Sequence, residues 1–202
     1  MNHSSGLHGR DRADERTVQN RGAGRRRSRG TSLRSRRGGR DSFAGNLQTM
    51  KILDILDKRL IVPEIASKTK EGVLRELVHV LNEVEREVDE DRMTEILLER
   101  ESLGSTGIGE GVAIPHGKSK EVKKILASFG RSLPGMDFQS LDGKPTHLFF
   151  LLIAPENSAG MHLKALAQIS RLMKDQTFRK RLMDARSAEE IYSLFAEGEK
   201  KV

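Results

Sequence analysis

From residue 50 onward the apolar positions switch between two periods. Glu71 to Val88 carries Val73, Leu74, Leu77, Val80, Leu81 and Val84 at three- and four-residue intervals, which predicts an amphipathic helix. A second helix is expected from about Asp91, read as its N-cap, through Met93, Ile96 and Leu97 to about Leu103. Lys58–Pro63 reads as a short edge strand ended by proline, and Ile125–Ser132 as a further strand. Thr146–Ala154 is an almost unbroken apolar run closed by Pro155, as in a central strand covered on both faces. Three helices complete the chain. One opens at His162 with Leu163, Leu166, Ile169, Leu172 and Met173, one spans Gln176–Asp184, and one runs from the capping signal Ser187-x-x-Glu190 to about Ala196. Strands interleaved with helices give an α/β fold, with a mixed, mostly parallel sheet flanked by helices on both faces.

One segment does not fit a purely structural reading. Ser105-Thr106-Gly107-Ile108-Gly109-Glu110-Gly111 leads into the short buried strand Val112-Ala113-Ile114, then Pro115, His116, Gly117 and Lys118. Pro115 withholds a donor and is expected to end the pairing, leaving His116 at a strand end beside a glycine that lets a phosphoryl group or another backbone approach. Strand ends beside helix N-termini are where ligand groups collect in such sheets, and free N–H groups there favour phosphate. On this topology His162, in the first turn of its helix, can meet His116.

Composition narrows the chemistry. No apolar run approaches the roughly 20 residues that span a bilayer, so no membrane span is expected. With no cysteine, thiolate nucleophiles and sulfur-ligated metals are excluded, and a reducing, cytoplasmic setting fits. The net charge of +7 is uneven: residues 1–49 hold 12 Arg, no Lys and four acids, whereas residues 50–202 hold 24 bases and 25 acids. The chain therefore divides into an Arg/Gly/Ser-rich extension, 1–49, and a domain, 50–202. Phe43 is the only aromatic of the extension, which reads as disordered. An arm of this kind can bind nucleic acid non-specifically, but the plainer reading is a dispensable extension. No apolar run follows the arginines as a signal peptide requires.

Leu98-Glu99-Arg100-Glu101-Ser102-Leu103-Gly104-Ser105-Thr106-Gly107-Ile108-Gly109, continuing through Gly111-Val112-Ala113-Ile114-Pro115-His116-Gly117-Lys118, resembles the active-site signature of the mannitol/fructose-type (type 2) IIA domains of the bacterial phosphoenolpyruvate-dependent phosphotransferase system. Its Ser-Thr-Gly-Ile-Gly form is most similar to the nitrogen-regulatory branch. The resemblance spans about Met50–Glu197. It implies that His116 is phosphorylated, that His162 is a second active-site histidine, that Arg100 is an active-site cation, and that the donor is a small histidine-containing phosphocarrier protein. Regulated target proteins or a separate permease component would be the onward partners.

Phosphoryl transfer between imidazoles needs a neutral ring nitrogen, in-line approach and donors around the equatorial oxygens, with no cofactor. Gly117 and Lys118 are expected to contribute a small N–H nest, Ser105 and Thr106 to support the phosphate, and Lys118 and Lys120 to form a basic rim. Two competing readings remain: a zinc site on His116, His147 and His162, which has neither His-x-x-x-His spacing nor a carboxylate partner, and a nucleic-acid module acting through the tail. The glycines at 107, 109 and 111 match neither nucleotide fingerprint. The chain carries neither a spanning segment nor a cysteine-bearing IIB unit, so neither is fused here; a stand-alone IIA serving a separate permease stays open beside the favoured regulatory role.

Overall fold

The computed structural model of the protein describes residues 50–86 and 88–200; the expected extension, 1–49, lies outside them. Six strands make one sheet: β1 (Ile61–Val62), β2 (Gly107–Gly109), β3 (Val112–Ala113), β4 (His116–Ser119), β5 (Leu126–Met136) and β6 (Thr146–Pro155). Among the described residues five α-helices accompany them: α1 (Lys70–Val84), α2 (Glu90–Ser102), α3 (Ala159–Lys174), α4 (Gln176–Asp184) and α5 (Ala188–Glu199).

β6 is the central strand, as its apolar run predicts. It pairs antiparallel with β5 on one side and parallel with both β3 and β4 on the other; β1 extends the sheet parallel to β5, and β2 pairs antiparallel with β3. Parallel pairings therefore outnumber antiparallel ones in this mixed sheet, although the longest ladder, β5 with β6, is antiparallel. Side-chain alternation assigns the faces. The Ser128 hydroxyl donates to Leu77 O of α1 at 2.9 Å, so Ser128 and Gly130 of β5 look toward α1. Phe129 and Phe150 look the other way and meet Phe195 of α5 edge-on, with centroids 5.2 and 5.6 Å from it. Burial on both faces explains why β6 shows no polar alternation.

Several expectations shift. α1 ends at Val84 rather than Val88, and its buried stripe uses Val78 in place of the half-buried Val80. Asp89, not Asp91, caps α2: its carboxylate accepts from Arg92 N at 3.0 Å, while Asp91 lies in the first turn and pairs with Arg75. Within Lys58–Pro63 only Ile61–Val62 is strand, because Lys58–Leu60 winds into a 3₁₀ turn capped by Asp57. On α3 the stripe Ala165, Ile169, Leu172 and Met173 continues to His162, and Leu163 faces outward. Ser187 caps α5 as expected, accepting from Glu190 N at 3.2 Å.

Candidate active site

His116 is the first residue of β4, so the sheet continues beyond it instead of ending before it. Pro115 interrupts the strand without stopping it: its carbonyl accepts from Leu152 N at 2.9 Å, and pairing resumes in the same register, Ala113 opposite Phe149 and His116 opposite Leu152. A missing N–H removes one ladder bond but leaves the carbonyl of the same residue free to hold the neighbour. His116 and Lys118 consequently point to one face of β4, and Gly117 and Ser119 to the other.

The two faces divide the predicted site. On the face of His116, the ring of His162 lies 5.6 Å away between centroids, tilted by 54°. On the opposite face, a Cβ at Gly117 would come within 2.7 Å of Ile96 Cγ2, so the glycine makes room for α2 rather than for a phosphoryl group. The Gly117 N–H is also directed into the parallel ladder with β6, which removes it from the expected nest. Lys118 is exposed on the His116 face, close enough for its charge to act on His162.

The imidazole of His116 is held from below. Its Nδ1 lies 2.7 Å from the Ile114 carbonyl. A carbonyl only accepts, so Nδ1 carries the hydrogen and the lone pair of the neutral ring is on Nε2. Ile114 is fixed in turn: its N–H donates to Thr106 O at 3.0 Å. Thr106 donates from N (3.0 Å) and from its hydroxyl to the buried carboxylate of Glu101, which also receives Lys70 Nζ at 3.0 Å. Ser105 donates to Phe138 O at 2.9 Å and accepts from Gly107 N at 3.1 Å. Both hydroxyls expected to support phosphate are thus engaged in anchoring the loop that carries the histidine.

Burial is the main cause pulling the His116 pKa below its ordinary value of 6.5; the Ile114 bond opposes it, Arg100 pulls it lower still, and Glu101 opposes. Arg100 is therefore near enough to act on the ring, while its Nη1 donates to Gly104 O at 2.9 Å. The His162 pKa is also lowered, first by burial, then by His116 and Lys118. Its Nδ1 is buried without a partner. No side chain caps the first turn of α3, because the Ser158 hydroxyl turns back to Pro155 O. His147 stands apart, five residues along β6 from the partner of His116, roughly 16 Å at strand spacing. The three histidines of the zinc reading do not converge, and among the described residues no group of three potential ligands gathers anywhere.

Reasoning from the sequence missed Glu101 and Lys70. A signal for Glu101 was present: it falls four residues after Leu97 and eight after Met93, on the buried stripe of α2, where a carboxylate needs partners.

A family model described as "Phosphoenolpyruvate-dependent sugar phosphotransferase system, EIIA 2" matches residues 54–198. The chain belongs to this type-2 EIIA family. Among relatives, a nitrogen regulatory protein of Bradyrhizobium diazoefficiens is 44% identical over 147 residues, covering 73% of this chain and 95% of that protein. A fructose-specific EIIABC component of Bacillus subtilis is 42% identical over 151 residues, 75% of this chain but only 24% of that protein, so the chain spans about a quarter of its length. The crystal structure of nitrogen regulatory protein IIA-Ntr from Neisseria meningitidis superposes with a TM-score of 0.67 at 36% identity, covering 70% of this chain and 97% of that one. Escherichia coli IIA mannitol shares the fold, at 24% identity and a TM-score of 0.60. Among the described residues of this EIIA chain, no helix is long and apolar enough to cross a membrane.

Proposed function

We propose that this EIIA protein carries a phosphoryl group on Nε2 of His116, accepted from a histidine-containing phosphocarrier protein, and that its phosphorylation state selects among partner proteins. The observation that carries the reading is the 2.7 Å contact of Nδ1 with the Ile114 carbonyl, which leaves Nε2 as the nucleophile. In the transfer, the Nε2 lone pair forms a bond to phosphorus as the donor's P–N bond breaks and its electron pair returns to the donor imidazole. The hydrogen stays on Nδ1, donated to the Ile114 carbonyl, and this bond stabilises positive charge on the ring. His162, with Nδ1 buried, uses Nε2 as the donor toward a phosphoryl oxygen. Arg100 and the uncapped first turn of α3 add positive potential. Placing roughly two negative charges on this face is enough to alter a partner's affinity.

The near-complete coverage of the Bradyrhizobium protein favours a regulatory role. The identity to the Bacillus fructose component supports a second reading, a separate IIA unit for sugar transport. One experiment addresses both. The chain is mixed with phosphoenolpyruvate, the general phosphotransferase enzyme and its carrier, and its mass is followed. Wild type gains an acid-labile, base-stable phosphoryl group and His116→Ala does not; equal labelling of both removes His116 from the mechanism. Rapid discharge to an added fructose-type IIB domain decides for transport, and retention of the label decides for regulation.

A further inference from the structure

A polar cavity lies toward the opposite end of β6 from His116 and takes no part in the chemistry above. Its volume is about 590 Å³, and Glu110, Lys144, His147, Thr177, Arg179 and Lys180 contribute to its walls. Arg179 is its rigid element. The residue is only 9% exposed, and its Nη1 donates to the carbonyls of Met173 (2.7 Å) and Lys174 (3.0 Å) at the end of α3. Those bonds aim Nη2 at the carboxylate of Glu110, 2.9 Å away.

Glu110 is the exchangeable element. With Gly111 it forms the two-residue turn between β2 and β3, at φ of +55° and +76°. Turns of this type prefer Asn-Gly, because a left-handed backbone disfavours a side chain such as glutamate. The glutamate side chain is also 68% exposed, so little packing holds it. A residue poorly suited to its turn thus presents a carboxylate to a buried, pinned guanidinium. Lys144 adds a cation on the same wall, its ammonium near enough for its charge to act on Asp142 but without a close ion pair among the described residues, and Lys180 adds another, paired at the exposed surface with Asp184. The neighbouring carboxylates have other duties: Asp142 accepts from the N–H groups of Glu110 and Lys144, and Asp175 caps α4.

We propose that this cavity binds a small organic dianion. One anionic group replaces the Glu110 carboxylate on Arg179, whose planar donors suit carboxylate and phosphate alike, and the other meets Lys144 and Lys180. Two groups are required, because a tethered carboxylate competes at an effective concentration in the millimolar range and a monoanion has no second contact to offset it. Occupancy frees the Glu110–Gly111 turn from α4, and that turn leads directly through β3 into the segment bearing His116. The proposal does not depend on phosphotransfer, since binding is measured on the unphosphorylated protein.

The test is a titration of the full chain, followed by amide NMR at constant ionic strength, with succinate and with glycerol phosphate as probes. Saturable shifts are expected at Glu110, Gly111, Lys144 and Thr177, with a dissociation constant of about 1 mM for at least one probe. Saturation by succinate alone assigns dicarboxylates, and by glycerol phosphate alone assigns phosphomonoesters; either supports the site. Glu110→Asn, which suits the turn and removes the competitor, should tighten binding about tenfold, and Lys144→Ala should weaken it about tenfold. The proposal is overturned if neither probe saturates by about 50 mM, if the shifts centre on His116 instead, or if Glu110→Asn binds no more tightly than wild type.

Discussion

His116 and His162 share an environment that favours the neutral form of each ring. Burial lowers each pKa from 6.5, and each subsidiary charge from Arg100, Lys118 or the facing ring acts in the same direction. The unfolded chain takes up these protons at ordinary values and the folded chain only at lower pH, so acid favours unfolding in the interval between. The stability contribution is complete above about pH 6.5 and is lost as pH falls toward the folded-state values. Side-chain NMR titration should place both midpoints below 6.5, and the urea midpoint should drop between about pH 7 and pH 5.5 by less when both histidines are replaced by glutamine. A midpoint above 6.5 for either ring would contradict the burial argument. For the proposed function, the consequence is that Nε2 of His116 keeps its lone pair through neutral pH.

At the level of elements, the site depends on how closely α2 lies against β4. The contact of Ile96 with Gly117 sets that distance, and the last turn of α2 supplies Arg100 to the ring and Glu101 to the loop beneath it. Ile96 Cγ2 is a branched methyl near its backbone and cannot rotate away from a new Cβ without moving the helix. Gly117→Ala should therefore destabilise the fold by about 1–3 kcal/mol. Adding Ile96→Ala should recover part of that loss, so that the double variant is more stable than the sum of the single losses in a urea double-mutant cycle. Strict additivity would refute the close approach as the reason for glycine. The histidine-bearing strand is thus fixed from three directions: β6 beside it, α2 behind it, and the Lys70–Glu101–Thr106 network under its entry loop.

Across the whole molecule, the two ends of the domain meet. The carboxylate of Glu199, at the end of α5, accepts from the N–H groups of Ile52 and Leu53, and Ile52 and Leu56 are buried in the core. The domain therefore needs its chain from about Met50, four residues before the family match begins. A chain starting at Met50 should match the full chain in urea midpoint and phosphoryl uptake. A chain starting at Asp57 should lose about 3 kcal/mol or more, because two large apolar side chains leave the core. Equal stability of the two truncations would refute the clasp. Salt-dependent retention on DNA by the full chain, absent from the chain starting at Met50, would reinstate a nucleic-acid role for the extension.

Hydropathy period was enough to locate β6, α1 and α3, because burial on one face or on both leaves a repeat that can be read without neighbours, and the Ser187 capping signal located the start of α5. The length of the signature around His116 likewise pointed to a phosphotransferase family before any geometry was known. Other features exist only between elements. Every residue has a carbonyl, so nothing in the chain marks that of Ile114 as the partner of Nδ1. Gly117 reads the same whether a ligand or a helix fills its space, and only the packing of α2 shows that Ile96 does. Pro115 forbids one hydrogen bond, and whether a strand survives that loss depends on the strand beside it. Local pattern determines which elements form, whereas contacts between segments distant in sequence determine which ring nitrogen is free and what surrounds it.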